Sequence, residues 1–326
     1  MTVSSFFSGQ TILVTGGAGF IGSHLTGSLT ASGAKVTVVD HHSPTHLTNL
    51  RDCLKHVEYI KADILDASFS ALLGDRAFNC IFHLAGNAYV PTSVEDPWRD
   101  FQANAVGTLK LLDTLRQLGR TSRVIVLSSA AVYGNISSAS ITEDEMTVPI
   151  SPYGVSKLVV DRYAAVYARL YGLRVASLRP FSAYGPGQKK QVVYDFIHKL
   201  SRHPKEFYAL GDGTQVRDFT YVTDVVQAAL CIAQNGPLCG EAYNVGSGQA
   251  HNTQRLLDLL CELMGIQPQI YWSGVNRSGD PLRFLANIDR LRKLGWCPAV
   301  SFRDGLQRTL AWYQRDRIST GNGVVG

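Results

Sequence analysis

The chain has 326 residues, 45% of them apolar and 17% charged, which is enough to bury a sizeable core and rules out a disordered polymer. Its 31 basic and 26 acidic residues leave a net charge of +5, and no basic run is longer than Lys189–Lys190, so the dense block of a nucleic-acid-binding arm is absent. No stretch reaches the ~18 consecutive apolar residues of a membrane helix. Residues 1–7 lack the basic and long apolar regions of a signal peptide. The six cysteines form no C-x-x-C pair and no zinc-ligand spacing, and read as reduced thiols of a cytoplasmic protein.

The β-branched run 11–15 predicts a strand, followed by a glycine-rich turn, a helix over 23–32 and a second strand over 35–39 that ends at Asp40. Strand-like segments recur at 57–61, 80–84, 123–128 and 174–178, with helical spacing at 68–73, 101–118 and 155–170. Regular alternation of this kind predicts a doubly wound parallel α/β sheet. After Pro180 the texture becomes irregular, with turns at 185–187 and 211–213 and helices at 223–233, 252–264 and 303–315. A domain boundary near 180 follows: residues 1–180 form the sheet domain, and 181–326 a smaller mixed α/β domain with some segments packing back on the first. The tail 320–326 reads as frayed.

Gly16-Gly17-Ala18-Gly19-Phe20-Ile21-Gly22 follows the first strand and opens the first helix. Glycines there let the backbone approach a pyrophosphate at a helix N-terminus. The pattern is weak alone and gains force from its β-α-β setting. Asp40 lies 18 residues after Gly22 at the end of the second strand, placed to accept hydrogen bonds from an adenosine ribose and to repel a 2′-phosphate. That favours NAD over NADP. His41, His42 and His46 follow in a Pro-containing loop without patterned partners, which reads as a solvated loop and not a metal centre.

Tyr153-Gly154-Val155-Ser156-Lys157 is a Y-x-x-x-K pattern, which on a helix puts phenol and ammonium on one face. A free phenol has a pKa of ~10 and is a poor base at neutral pH. A neighbouring cation stabilises the phenolate, so Lys157 is expected to lower the Tyr153 pKa. Ser128-Ser129 ends the strand before it, where strand C-termini line the ligand crevice of such a sheet. Y-x-x-x-K by itself is as often an ordinary helix start. Here it follows both a dinucleotide loop and a strand-end serine.

With these residues together, the chain resembles the extended short-chain dehydrogenase/reductase family, in its NAD-dependent nucleotide-sugar epimerase/dehydratase branch, over nearly its whole length. The 15–22 segment is similar to that family's cofactor loop. Asp63-Ile64 resembles its adenine-side pair, His83-Leu84-Ala85-Gly86 the strand flanking the cofactor, and Asn104 the asparagine of the next helix. Ser128-Ser129-Ala130-Ala131-Val132-Tyr133-Gly134 resembles its serine strand, and the segment from Arg179 to Pro186 its turn into the substrate domain. The resemblance implies a Rossmann domain binding NAD through Gly16, Gly19, Phe20, Ile21, Gly22, Asp40, Asp63, Ile64, Leu84, Ala85, Gly86, Asn104, Tyr153, Lys157 and Phe181. It implies Ser129, Tyr153 and Lys157 as catalytic residues. It also implies Ser129, Tyr153, Ser182, Arg217, Arg277 and Asp280 as contacts to a nucleotide-diphosphate sugar, and a homodimer.

Within that family, the 4,6-dehydratases usually carry acidic residues after the catalytic Ser or Thr. Ala130 and Ala131 stand there in this chain and can neither donate nor accept a proton, so the pattern is similar to the 4-epimerases. Ser182 replaces the usual Asn beside the substrate phosphates, and Leu210 stands where many UDP-sugar enzymes have an aromatic that stacks on the base. The leading expectation is an NAD-dependent nucleotide-sugar 4-epimerase working through a transient 4-keto sugar. The alternatives are a one-way 4-ketoreductase on the same scaffold and a non-catalytic NAD-binding regulatory protein.

Overall fold

A computed structural model describes residues 3–43, 48–136, 138–275 and 282–319 of the chain. His46, Arg277, Asp280 and the 320–326 tail lie outside the described residues. Strands β1 (Thr11–Thr15), β2 (Lys35–Asp40), β3 (Glu58–Lys61), β4 (Cys80–His83), β5 (Arg123–Leu127) and β6 (Val175–Pro180) each follow the predicted runs within one or two residues. They pair in parallel in the spatial order β6-β5-β4-β1-β2-β3. The chain winds outward from β1 to β3, then crosses back to β4, so the order reverses between β1 and β4. The ligand crevice of a doubly wound sheet opens there, at the carboxyl ends of the strands. Thr15 stands opposite His83 at that point, and their side chains share a 2.8 Å hydrogen bond.

Strands β1 and β4 are buried along nearly their whole length because helices cover both sheet faces. One face carries the Phe20–Ala31 and Val222–Asn235 helices, whose Leu25, Leu29, Val225 and Val226 pack with Ile12, Val14 and Val38. The other carries Ala67–Asp75, Gly107–Gln117 and Pro152–Tyr171, with Phe69, Leu111, Leu112, Val160 and Ala164 against Leu13, Ile81 and Val126. The run read as one helix over 101–118 is instead Pro97–Phe101, a wider π-type turn over Gln102–Val106, and then Gly107–Gln117. Such a turn inserts a residue into the helical ladder and is often found at functional sites. Here it holds Asn104.

Beyond residue 180, β7 (Ser182–Tyr184), β8 (Glu206–Ala209), β9 (Val216–Arg217) and β10 (Phe219–Tyr221) precede the returning strand β11 (Cys239–Val245). Strand β11 pairs in parallel with β6 and becomes the seventh strand of the main sheet. β10 pairs with β7 in one small sheet, and the strands β12 (His251–Asn252), β13 (Gln269–Trp272) and β14 (Arg283–Phe284) complete two more, β12-β9-β14 and β13-β8. A third apolar cluster joins the Gln191–Arg202, Thr253–Met264 and Phe302–Ser319 helices through Phe196, Ile197, Leu256, Leu260, Leu306 and Leu310. The first of these helices was not expected from sequence.

Candidate active site

The glycine loop turns off β1 at Gly16, whose φ of +68° is a left-handed conformation natural to glycine. A Cβ there would come within 2.6 Å of the Ala85 amide nitrogen. Loop and Leu84–Ala85 strand end are therefore in backbone contact, with Leu84 N–H donating to the Thr15 carbonyl. A Cβ on Gly22 would collide with the Gly16 carbonyl oxygen. Gly19 caps the Phe20–Ala31 helix without a side chain, which leaves the first-turn amides of Phe20 and Ile21 open to an anion. The cradle thus fits a dinucleotide pyrophosphate, a shape that added side chains would fill.

Asp40 ends β2 with its side chain 3% exposed. Its Oδ2 accepts from Ala18 N–H at 3.0 Å, and its Oδ1 from His42 N–H at 3.1 Å. His42 Nδ1 lies 2.7 Å from the same Oδ1. A carboxylate offers about four lone-pair sites, so it can still receive a ribose hydroxyl. Asp40, His41 and His42 bring one ligand atom each within 4.8 Å of one another, with both histidines exposed. Asp63 is exposed, and its Oδ1 accepts from Leu65 N–H at 2.9 Å, while Ile64 is buried beside Gly107. Phe181 is buried against Phe284 and Tyr133, with ring centroids 5.2 Å and 6.4 Å away.

Tyr153 and Lys157 stand in the first turns of Pro152–Tyr171, which begins earlier than the 155–170 expected. Ser151 caps it by accepting from Gly154 N–H at 3.1 Å, and Pro152 takes the first position, where its missing N–H costs nothing. Tyr153 is held again from outside, its N–H donating to Ser93 Oγ at 3.1 Å. Ser129 follows β5, and its Oγ accepts from Ala131 N–H at 3.1 Å. Its hydroxyl stands close enough to the Tyr153 phenol for a hydrogen bond to pull the phenol's pKa down. Lys157 Nζ donates to the Leu127 carbonyl at 2.9 Å and lies 5.9 Å from the centre of the Tyr153 ring. Three polar side chains from two elements therefore meet at the carboxyl end of β5.

The electrostatics differ from the sequence expectation. Burial pushes the Tyr153 phenol up to about 12, and the Ser129 hydrogen bond only partly opposes it. Burial also depresses the Lys157 ammonium to about 8, against the pull of Asp100 and Asp161. The lysine does not lower the phenol as expected, because its ammonium is turned to the Leu127 carbonyl and desolvation dominates both groups. His83, pushed down to about 3 by burial and by the Lys157 charge, is neutral at pH 7. Asn104 Nδ2 donates to Asp100 and to Ser156. Its buried Oδ1 has no hydrogen-bond partner among the described residues, an acceptor that a cofactor hydroxyl can satisfy.

The sugar-nucleotide candidates are spread more widely. Ser182 opens β7, its N–H donating to the Asp218 carbonyl at 3.0 Å, and Arg217 lies half-buried in β9. Asp218 itself is fully buried and works structurally. Its carboxylate accepts from the backbone of Ser247 at 2.6 Å, Gly248 at 3.0 Å and Ala286 at 3.2 Å. Leu210 is exposed. Sequence reading missed Ser93, Asn87, Asp100 and Ser156. The only available signal was the four-residue spacing of Asp100 and Asn104, which puts them on one helical face.

Residues 12–246 match the model of the NAD dependent epimerase/dehydratase family, and the chain belongs to it. It is 35% identical over 314 residues to a UDP-glucose 4-epimerase of Mycolicibacterium smegmatis, covering 93% of this chain and 98% of that one. It is 32% identical over 309 residues to a putative UDP-glucose 4-epimerase of Methanocaldococcus jannaschii, covering 94% and 99%. Among solved structures it superposes on the epimerase Mth375 of Methanothermobacter thermautotrophicus with a TM-score of 0.91 at 30% identity, covering 99% and 97% of the two chains. Relatives described as dehydratases and reductases match as well. NAD is the cofactor of the family, and the cradle fits it.

Proposed function

We propose that the protein is a nucleotide-sugar 4-epimerase. The observation that carries this reading is the meeting of Tyr153, Ser129 and Lys157 beside the dinucleotide cradle, with Ala130 and Ala131 filling the turn next to Ser129. Tyr153 takes the proton of the sugar 4-hydroxyl and later returns it, while Ser129 hydrogen-bonds the reacting oxygen. NAD, held by the Gly16–Gly22 loop, Asp40 and Lys157, would supply a reversible hydride acceptor for C4 of the sugar. A phenol held near 12 ionises only when positive charge comes beside it, so Tyr153 stays a protonated, inert group until the site is filled. Lys157, whose ammonium is turned to the Leu127 carbonyl, supplies a donor for the nicotinamide ribose.

In this reading residues 1–180 serve the cofactor and 181–326 the nucleotide-diphosphate sugar, with β11 packed back on the sheet. Ser182 and Arg217 contact the diphosphate in this reading, and the family resemblance assigns the same role to Arg277 and Asp280. Arg suits such forked contacts. Leu210 offers the base apolar contact without ring stacking. The enzyme works in the cytoplasm as a homodimer. The dimer is supported by Trp98 and Leu170, each 65% exposed, and by exposed Val155 and Tyr171, all on the adjoining Pro97–Phe101 and Pro152–Tyr171 helices. Sedimentation should show a dimer that Leu170→Glu weakens, and a monomeric wild type refutes it.

The catalytic reading is tested by incubating the purified protein with UDP-, GDP-, CDP- and dTDP-sugars and analysing the products by mass spectrometry. Elimination of water needs an acid for the departing 6-hydroxyl, which neither alanine supplies. The expected product is an isomer of unchanged mass, formed without added reduced cofactor. A product lighter by one water, or stoichiometric consumption of NADH or NADPH, overturns the epimerase reading.

A further inference from the structure

Behind Tyr153 and Lys157 lies a buried polar cluster that the reaction just described leaves unused. Asp100, on the Pro97–Phe101 helix, is 2% exposed. Its Oδ1 accepts from Asn87 Nδ2 at 2.7 Å and Asn104 Nδ2 at 3.1 Å, and its Oδ2 accepts from Ser156 Oγ at 2.7 Å. Ser156 Oγ also lies 2.9 Å from the Tyr153 carbonyl and accepts from Asn104 Nδ2 at 3.0 Å. Every one of these donors is neutral, and Asp100 makes no salt bridge among the described residues. Burying a carboxylate without a paired cation is expensive, so a compensating charge is needed nearby.

We propose that Asp100 is a positioning residue: its carboxylate anchors the Ser156, Asn104 and Asn87 side chains under the first turns of the Tyr153–Lys157 helix and is the counter-charge that keeps Lys157 an ammonium in a desolvated site. Asn104 Oδ1 and Lys157 Nζ border the same point, since a Cβ on Gly86 would strike the first and lie 3.5 Å from the second. Of the charged groups around Lys157, Asp161 is committed to Arg179 at 2.8 Å, and His83 is neutral. Asp100, which has no cation of its own, is thus the main counter-charge to the lysine, and its pull comes ahead of that of Asp161 in opposing the desolvation that depresses Lys157. The importance of Lys157 rests on the epimerase reading, but its ionisation can be measured without any substrate.

Asp100→Asn is nearly isosteric and keeps the cluster bonded. Its Oδ1 still accepts from both asparagines, and its amide can donate to Ser156 Oγ, whose proton then goes to the Tyr153 carbonyl. The full-length protein with NAD bound, labelled with ¹³C at lysine Cε, is titrated by NMR, with the Lys157 signal assigned from its absence in Lys157→Met. Removing the anion should lower the Lys157 midpoint by roughly one pH unit. Ser156→Ala, which breaks a bond of the cluster and leaves the charge, should leave that midpoint unmoved. An unchanged midpoint in Asp100→Asn, or an equal shift in Ser156→Ala, overturns the proposal and leaves Asp100 a hydrogen-bond hub. Should Asp100→Asn not fold, Asp100→Ser carries the same expectation. Absent turnover on every sugar would count against the epimerase reading alone.

Discussion

Tyr153 and Asp40 show how much a single side chain's surroundings matter to this enzyme. Tyr153→Phe keeps the buried ring and its Ser93-anchored backbone and loses only the oxygen proposed to exchange a proton. Turnover should fall by ~10²–10⁴-fold, the usual worth of general acid–base catalysis, with NAD binding retained. Near-normal turnover of the Phe variant on its proper substrate would falsify the assignment. Asp40 sits inside the cofactor cradle, bonded to the loop through Ala18 N–H, so a 2′-phosphate would meet a carboxylate that cannot swing away. NADPH should bind the apoprotein at least ~10-fold more weakly than NAD, about 1.4 kcal/mol. Parallel titrations with both cofactors check this, and equal affinities would remove Asp40 as the discriminator. Both residues were legible in the sequence, because each stands at a fixed distance from a glycine or lysine signal. The direction of the Tyr153 shift was not, because desolvation depends on what covers the phenol.

At the scale of elements, the helix start at Pro152 positions Tyr153. Ser151 supplies the cap, and Tyr153 lies in the first turn that this cap holds. Ser151→Ala should cost about 1 kcal/mol in denaturant unfolding. Because the loosened turn carries the phenol, turnover should fall by more than the stability loss alone explains. A variant with the full stability loss and wild-type kcat would show that Ser93 is a sufficient anchor. The π-type turn over Gln102–Val106 is an element that the sequence did not reveal, since apolar spacing marks only the outer periodicity of a helix. Its consequence is local: it carries Asn104, whose amide joins Asp100 and Ser156.

At the scale of the molecule, a buried network ties the late strand β11 to the site. Arg179 on β6 donates to Asp161 at 2.8 Å and to the Tyr133 hydroxyl at 2.7 Å. That hydroxyl donates to Asn244 on β11 at 2.7 Å. Tyr133 is fully buried, four residues beyond Ser129, so the same loop bears the reacting serine and the inter-strand tie. Tyr133→Phe leaves Asn244 Oδ1 and one Arg179 N–H short of a partner and should cost about 1–3 kcal/mol of stability. Its effect on NAD affinity should be small. Denaturant unfolding paired with cofactor titration separates the two, and a tenfold weaker NAD with unchanged stability would contradict this role.

Taken alone, the amino-acid order determined the alternating β-α pattern, the glycine cradle with Asp40, and the Tyr153–Lys157 pairing. These rest on short-range spacing: a two- or 3.6-residue period, a turn that only glycine allows, and four residues per helical step. It also marked residues 80–84 as a buried strand and the strand C-termini, Ser128–Ser129 among them, as the lining of a ligand crevice. Only the tertiary structure decided that Cys239–Val245 returns to β6, that Asp100 and Ser93 back Tyr153 and Lys157, and that burial sets both pKa shifts. Those are contacts between residues tens of positions apart. Their energies depend on water excluded by neighbours that no local pattern names.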